Sequence, residues 1–123
     1  MRVLTLDDSP LRQLSFRRWF AGLLHAEAYT AQEAIEALQA GPRFDLVQLD
    51  HDLSEEHYIG DTGLGTGMDV VDHIIRMEPG QRPYRAIVHS WNMPRAQEMV
   101  RRLEEAGVWV RYCRFDPNKP TFL

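Results

Sequence analysis

The stretch FDLVQLDHDL, Phe44 to Leu53, runs from apolar residues straight into Asp50, His51 and Asp52. A short apolar run of this kind reads as a strand buried on both faces of a parallel sheet. The ionisable residues that follow mark where the chain leaves the core and meets a polar rim. The same unit recurs on either side. RVLTL (Arg2 to Leu6) runs into Asp7-Asp8, and YRAIVHS (Tyr84 to Ser90) ends on His89-Ser90. AEAYT (Ala26 to Thr30) and VWVRYCRF (Val108 to Phe115) supply a second and a fifth strand.

Helical patterns fill the gaps. Ser9-Pro10 caps a first helix expected over Leu11 to Leu24, with Leu11, Leu14, Trp19, Phe20, Leu23 and Leu24 at helical spacing. Thr30 and Glu33 form a capping box for a second helix, which Gly41-Pro42 ends. Met68, Val71, Ile74 and Ile75 line a third helix that stops before Pro79-Gly80, and PRAQEMVRRLEEAG (Pro94 to Gly107) is a fourth. Strands alternating with such helices imply parallel crossover units. The expected architecture is therefore α/β and flavodoxin-like: a three-layer sandwich around a five-stranded parallel sheet in order 2-1-3-4-5.

Bulk properties set limits on function. At 123 residues, with 44% hydrophobic and 26% charged, the chain (1–123) is expected to form one soluble domain. A net charge of -4 argues against a broad grip on duplex DNA. The N-terminal residues contain neither a signal-peptide core nor a membrane span, so a cytoplasmic location with no membrane partner is expected. The one cysteine, Cys113, sits in an apolar stretch and reads as packing.

In sheets of this class ligands bind beyond the carboxyl ends of the strands, near the point where strand order reverses. Asp7, Asp8, Asp50, Asp52 and His89 all fall at that rim. Converging carboxylates with no evident basic counterweight favour raised pKa values or a bound divalent cation, Mg2+ or Mn2+ for oxygen donors. Taken singly, Asp7, Asp8 and Asp52 read equally well as caps. His51 and His89 near such a cluster could act as general acid and general base at a phosphodiester. The glycine-rich loop Ser54 to Gly67 reads as a lid, with Thr66 and Gly67 offering backbone N–H groups to a phosphate. Tyr58 and Trp91 read first as packing and second as base-stacking residues. His25, His57 and His73 have no evident partner and read as solvated.

Asp7-Asp8 after strand one and Asp50 after strand three resemble the receiver domains of two-component signalling. That likeness implies Asp8 as a metal ligand and Asp50 as a phosphoacceptor. The chain has His89-Ser90 where a receiver has a lone serine or threonine, and Arg114-Phe115 where it has a lysine; Lys119-Pro120 comes several residues late. The set LDD (Leu6 to Asp8), LDHDL (Leu49 to Leu53), TGMDV (Thr66 to Val70) and VHSWN (Val88 to Asn92), followed by Met99, is similar to the cyclic-phosphate processing receiver domains.

The resemblance implies a metal-dependent phosphoesterase acting on a nucleotide or RNA end that carries a cyclic phosphate. Asp8 and Asp50 would hold the cation, with Asp7 and Asp52 as further ligands or orienting groups. His51 and His89 would exchange protons, and Ser90 and Asn92 would position the phosphate. A phosphoacceptor domain and a non-catalytic nucleotide-sequestering module are the alternatives.

Overall fold

The computed structural model describes residues 1–53 and 65–120. His57, Tyr58, Gly63 and the lid reading of their loop lie outside the described residues. The elements are β1 (Arg2–Leu6), α1 (Pro10–Trp19), β2 (Leu24–Ala28), α2 (Ala31–Ala40), β3 (Leu46–Leu49), α3 (Gly67–Arg76), a 3-10 turn (Pro79–Gln81), β4 (Arg85–Val88), α4 (Met93–Glu105) and β5 (Trp109–Tyr112). All strand pairs are parallel and the order is β2-β1-β3-β4-β5, as expected.

Strand side chains alternate between two apolar layers. Leu4, Leu6, Val47, Leu49, Ala86 and Val88 pack with residues of α2, α3 and α4. Val3, Leu46 and Ile87 point the other way, to Phe16 of α1 and to Phe20. The sheet is thus sandwiched between three helices on one face and α1 on the other. No helix among the described residues is long and apolar enough to cross a membrane.

Two expectations about α1 and β2 are corrected. The helix ends at Trp19, not Leu24, and Leu11, Leu14, Leu23 and Leu24 are exposed. Its buried residues are Gln13 and Phe16. Gln13 displaces leucine from the inner face because its amide donates to the carbonyls of Asp7 (3.0 Å) and Ala28 (2.9 Å), while its Oε1 accepts from Thr5 Oγ1 (2.7 Å). Buried carbonyls at the strand ends need such partners, so a polar residue outcompetes an apolar one here. Strand β2 begins at Leu24, where its N–H donates to the Met1 carbonyl. His25 is consequently not solvated: its Nε2 lies 2.8 Å from Thr5 Oγ1, and burial holds its pKa below the ordinary value.

Candidate functional site

Three residues from three strands meet at the expected rim. Leu6, Leu49 and Val88 are in register, and the ladder continues one residue further. Asp50 N–H donates to the Leu6 carbonyl (3.1 Å) and His89 N–H to the Leu49 carbonyl (3.0 Å). Asp7, Asp50 and His89 are therefore neighbours, and strand alternation continues Thr5, Gln48 and Ile87, on the α1 side of the sheet. All three are buried, and one potential ligand atom from each lies within 4.8 Å of the others.

Arg12, in the first turn of α1, is the basic counterweight that the sequence reading did not find. Ser9 places it, accepting the Arg12 N–H as the helix cap. Its guanidinium donates to Asp7 from Nε to Oδ2 (2.6 Å) and from Nη2 to Oδ1 (2.9 Å). Nη2 also lies 3.6 Å from Asp50 Oδ2 and 3.8 Å from Asp8 Oδ1. The signal was available, since an arginine four or five residues past a strand-end aspartate, just inside a capped helix, faces back over the strand ends.

The two central carboxylates are differently treated. Asp7 Oδ1 accepts from Ser9 N–H and Arg12, while Oδ2 accepts from Arg12 and faces His89 Nε2 at 2.8 Å. Burial pushes its pKa up, but the hydrogen bonds and charges of His89 and Arg12 outweigh this and hold it below the usual range. Asp50 accepts one backbone bond, from His51 N–H to Oδ1 at 2.9 Å. Burial dominates there and, with repulsion from Asp7, raises its pKa to about 6 against the pull of His89 and Arg12.

The remaining residues divide around this centre. Asp8 is half-buried and outside the cluster. Asp52 is exposed; its Oδ1 lies 2.5 Å from His51 Nδ1 and accepts from Asn92 Nδ2 at 3.3 Å. Ser90 is fully buried, its hydroxyl accepting from Asn92 N–H and its carbonyl from the Tyr112 hydroxyl. Thr66 directs its N–H and hydroxyl to Asp69 Oδ2, and the Gly67 N–H donates to the His51 carbonyl. Both are thereby engaged within the protein. A Cβ at Gly67 would lie 2.0 Å from the Asp50 carbonyl oxygen, so only glycine lets α3 start this close to β3.

A cleft of about 210 Å³ opens over the centre, lined by Arg12, Asp50, Asp52, Ser90 and Trp91. His89 stands behind it, 1% exposed, with its ring edge against Phe16. Its Nδ1 is buried without a hydrogen-bond partner among the described residues. The imidazole thus directs Nε2 to the Asp7 carboxylate and Nδ1 into the apolar pocket.

The fit to a divalent cation follows from this donor set. Two carboxylates and an imidazole within reach of one ion suit Mg2+ through oxygen and Mn2+ through oxygen and nitrogen. Asp50 is the donor with most open capacity. Asp7 and His89 would both ligate in exchange for the contact they make with each other.

The sequence matches the family model of the cyclic-phosphate processing receiver domain over residues 2–105. The chain belongs to that family. Like other receiver-type folds, this cyclic-phosphate processing receiver domain superposes on response-regulator receivers. It covers 94% of its own length and 83% of a CheY-like receiver domain protein from Methanospirillum hungatei, at TM-score 0.66 and 18% identity. The response regulator domain of Thermotoga maritima CheB gives 93% and 77%, at TM-score 0.62 and 18% identity. A Burkholderia pseudomallei response regulator solved with a phosphorylated aspartic acid, calcium ion and citrate gives 94% and 61%, at TM-score 0.63 and 15% identity. At these identities the likeness establishes the fold. No curated protein sequence matches the chain.

Proposed function

We propose that this receiver domain is a metal-dependent phosphoesterase that opens a cyclic phosphodiester to a monoester. The observation that carries this reading is the unequal pair Asp7 and Asp50, 4.8 Å or less apart at their ligand atoms: Asp7 is buried and saturated with hydrogen bonds, while Asp50 lines the cleft with a pKa raised to about 6. Among the described residues the Arg12 guanidinium lies within 4 Å of three carboxylates, Asp7, Asp8 and Asp50, and Asp52 shares the cleft wall, so an anionic phosphodiester enters only with added positive charge. Asp50, with Asp7 and His89, would hold a divalent cation, which when bound offsets that charge and polarises the phosphoryl oxygens.

The chain's own groups do the rest. Arg12 Nη2, 3.6 Å from Asp50, faces the cleft and orients a phosphoryl oxygen. The Ser90 hydroxyl, steadied by Asn92, contributes a second contact. His51 and Asp52, joined at 2.5 Å, form the proton-exchanging pair, with Asp52 on the cleft wall. Water adds its hydroxide to phosphorus as the ester P–O bond breaks, and its proton passes through this pair to the leaving oxygen. His89, which faces Asp7 at 2.8 Å, would serve the cation with Asp7 and takes no part in the proton exchange.

The test is turnover of 2′,3′-cyclic AMP in the presence of Mg2+ or Mn2+, followed by chromatography of the monoester. Wild type should be active and lose activity in EDTA. His51→Ala should lower kcat by roughly 10²- to 10⁴-fold, the usual worth of general acid–base catalysis. A wild type that binds the nucleotide without opening it, or a fully active His51→Ala, would overturn the assignment.

A phosphoacceptor role is less well supported. Strand β5 is followed by Cys113 and Arg114, and Arg114 lies over the Trp91 ring rather than among the cleft-lining residues.

A further inference from the structure

We propose that Trp91 and Arg114 form a nucleobase platform at the mouth of the cleft, so that the cyclic phosphate processed is carried by a nucleoside. This deepens the hydrolytic reading and rests on it. Trp91 is 61% exposed, yet it lines the cleft beside Asp50, Asp52 and Ser90. An indole in that position is too large and too apolar to serve a phosphate, and it has no burial of its own to explain it.

The ring stands on fixed backbone. Ser90, immediately before it, is fully buried, with its carbonyl held by the Tyr112 hydroxyl at 2.9 Å. Asn92, immediately after it, caps α4 by accepting the Arg95 N–H and donates its own N–H to Ser90 Oγ. The Arg114 guanidinium carbon lies 3.8 Å from the centre of the indole, and Arg114 is not part of the cleft lining. The cation covers one face of the ring and steadies its plane, which leaves the opposite face for stacking. A base stacking there would place its ribose phosphate toward Arg12, Ser90 and Asp50. Stacking tolerates every base, so the platform selects for a nucleoside without selecting strongly among nucleosides.

The experiment compares 2′,3′-cyclic AMP with glycerol 1,2-cyclic phosphate, which carries no base, in Mn2+. Wild type should show a KM lower for the nucleotide by roughly 5- to 100-fold, the usual worth of one stacked base. Trp91→Ala should erase most of that ratio, and Trp91→Phe should restore part of it. An unchanged ratio in Trp91→Ala would overturn the platform. Quenching of tryptophan fluorescence by adenosine 2′-monophosphate is read in parallel, against inorganic phosphate. If neither cyclic ester is opened, the hydrolytic reading fails, and the quenching alone judges the platform: nucleotide-specific quenching lost in Trp91→Ala supports it, and quenching equal in the two proteins overturns it.

Discussion

Arg12 grips Asp7 with two parallel hydrogen bonds while holding Asp50 at 3.6 Å, beyond bonding distance. One guanidinium thus settles which carboxylate is structural in the metal-free protein and which is available. Removing it should have two opposite effects. Arg12→Ala should lower stability by roughly 1–3 kcal/mol, less than for a fully buried pair because the arginine side chain is 31% exposed. It should also enlarge the rise in Tm produced by Mn2+, since Asp7 is then free to ligate. Thermal melts with and without the ion check both, and a metal response no larger than that of wild type would show that Asp7 is not a ligand.

The raised pKa of Asp50 gives a pH dependence of defined sign. Its folded value of about 6 exceeds the ordinary 3.8, so the native state holds the proton more tightly than the unfolded chain. Its stabilising contribution is complete below pH 4 and is lost as pH rises to 6. Asp7, lowered by its partners, behaves oppositely and loses its contribution only as pH falls below 3.8. In EDTA at pH 7, Asp50→Asn should be more stable than wild type by roughly 1–3 kcal/mol. Added Mn2+ should stabilise wild type and leave Asp50→Asn nearly unmoved. Urea titrations across pH 4 to 8 provide the measurement, and a flat difference between the two proteins would refute the charge assignment.

Gly67→Ala should be among the most damaging small substitutions in the chain. Its Cβ would sit 2.0 Å from the Asp50 carbonyl oxygen, against backbone that cannot rotate away. A loss of roughly 1–3 kcal/mol or more is expected, together with a weaker Mn2+ response because Asp50 is displaced. A variant with wild-type Tm would mean that α3 starts further from β3 than described.

Gln13→Leu keeps size and adds hydrophobicity, yet should destabilise. It takes the Gln13 donor from the Asp7 carbonyl and one of two partners from the Ala28 carbonyl and the Thr5 hydroxyl, at a cost of roughly 1–3 kcal/mol. Chemical denaturation with an unchanged m-value would identify this as a native-state effect. A neutral substitution would show that those groups find other partners.

Strand order and the location of the site could be read from apolar runs and the residues that end them, because crossover handedness and register leave few alternatives. The face of α1 could not. Leu11 and Leu14 follow helical spacing as well as Phe16 and Phe20 do, and only the carbonyls awaiting Gln13 decide between them. The acidic rim was legible, but its internal division was not. Asp7 and Asp8 are chemically identical in sequence, and Arg12 and His89 turn the first into a saturated hub while the second remains half-buried outside the cluster. The Asp52–Thr66 bridge, which joins the end of β3 to the start of α3, depends on a contact that no local pattern announces.

The continuation of the ladder past Leu6, Leu49 and Val88 makes this site a matter of parity. Asp7, Asp50 and His89 share a face because each sits an even number of residues beyond a side chain that already points there. Adding or deleting one residue inside β1, β3 or β4 would swing a ligand to the opposite side of the sheet, whatever its chemistry. Segments joining the strands carry no such count. Their lengths can drift freely in descent while the centre keeps its geometry, so the spacing between motifs says less about kinship than the odd or even step within each one.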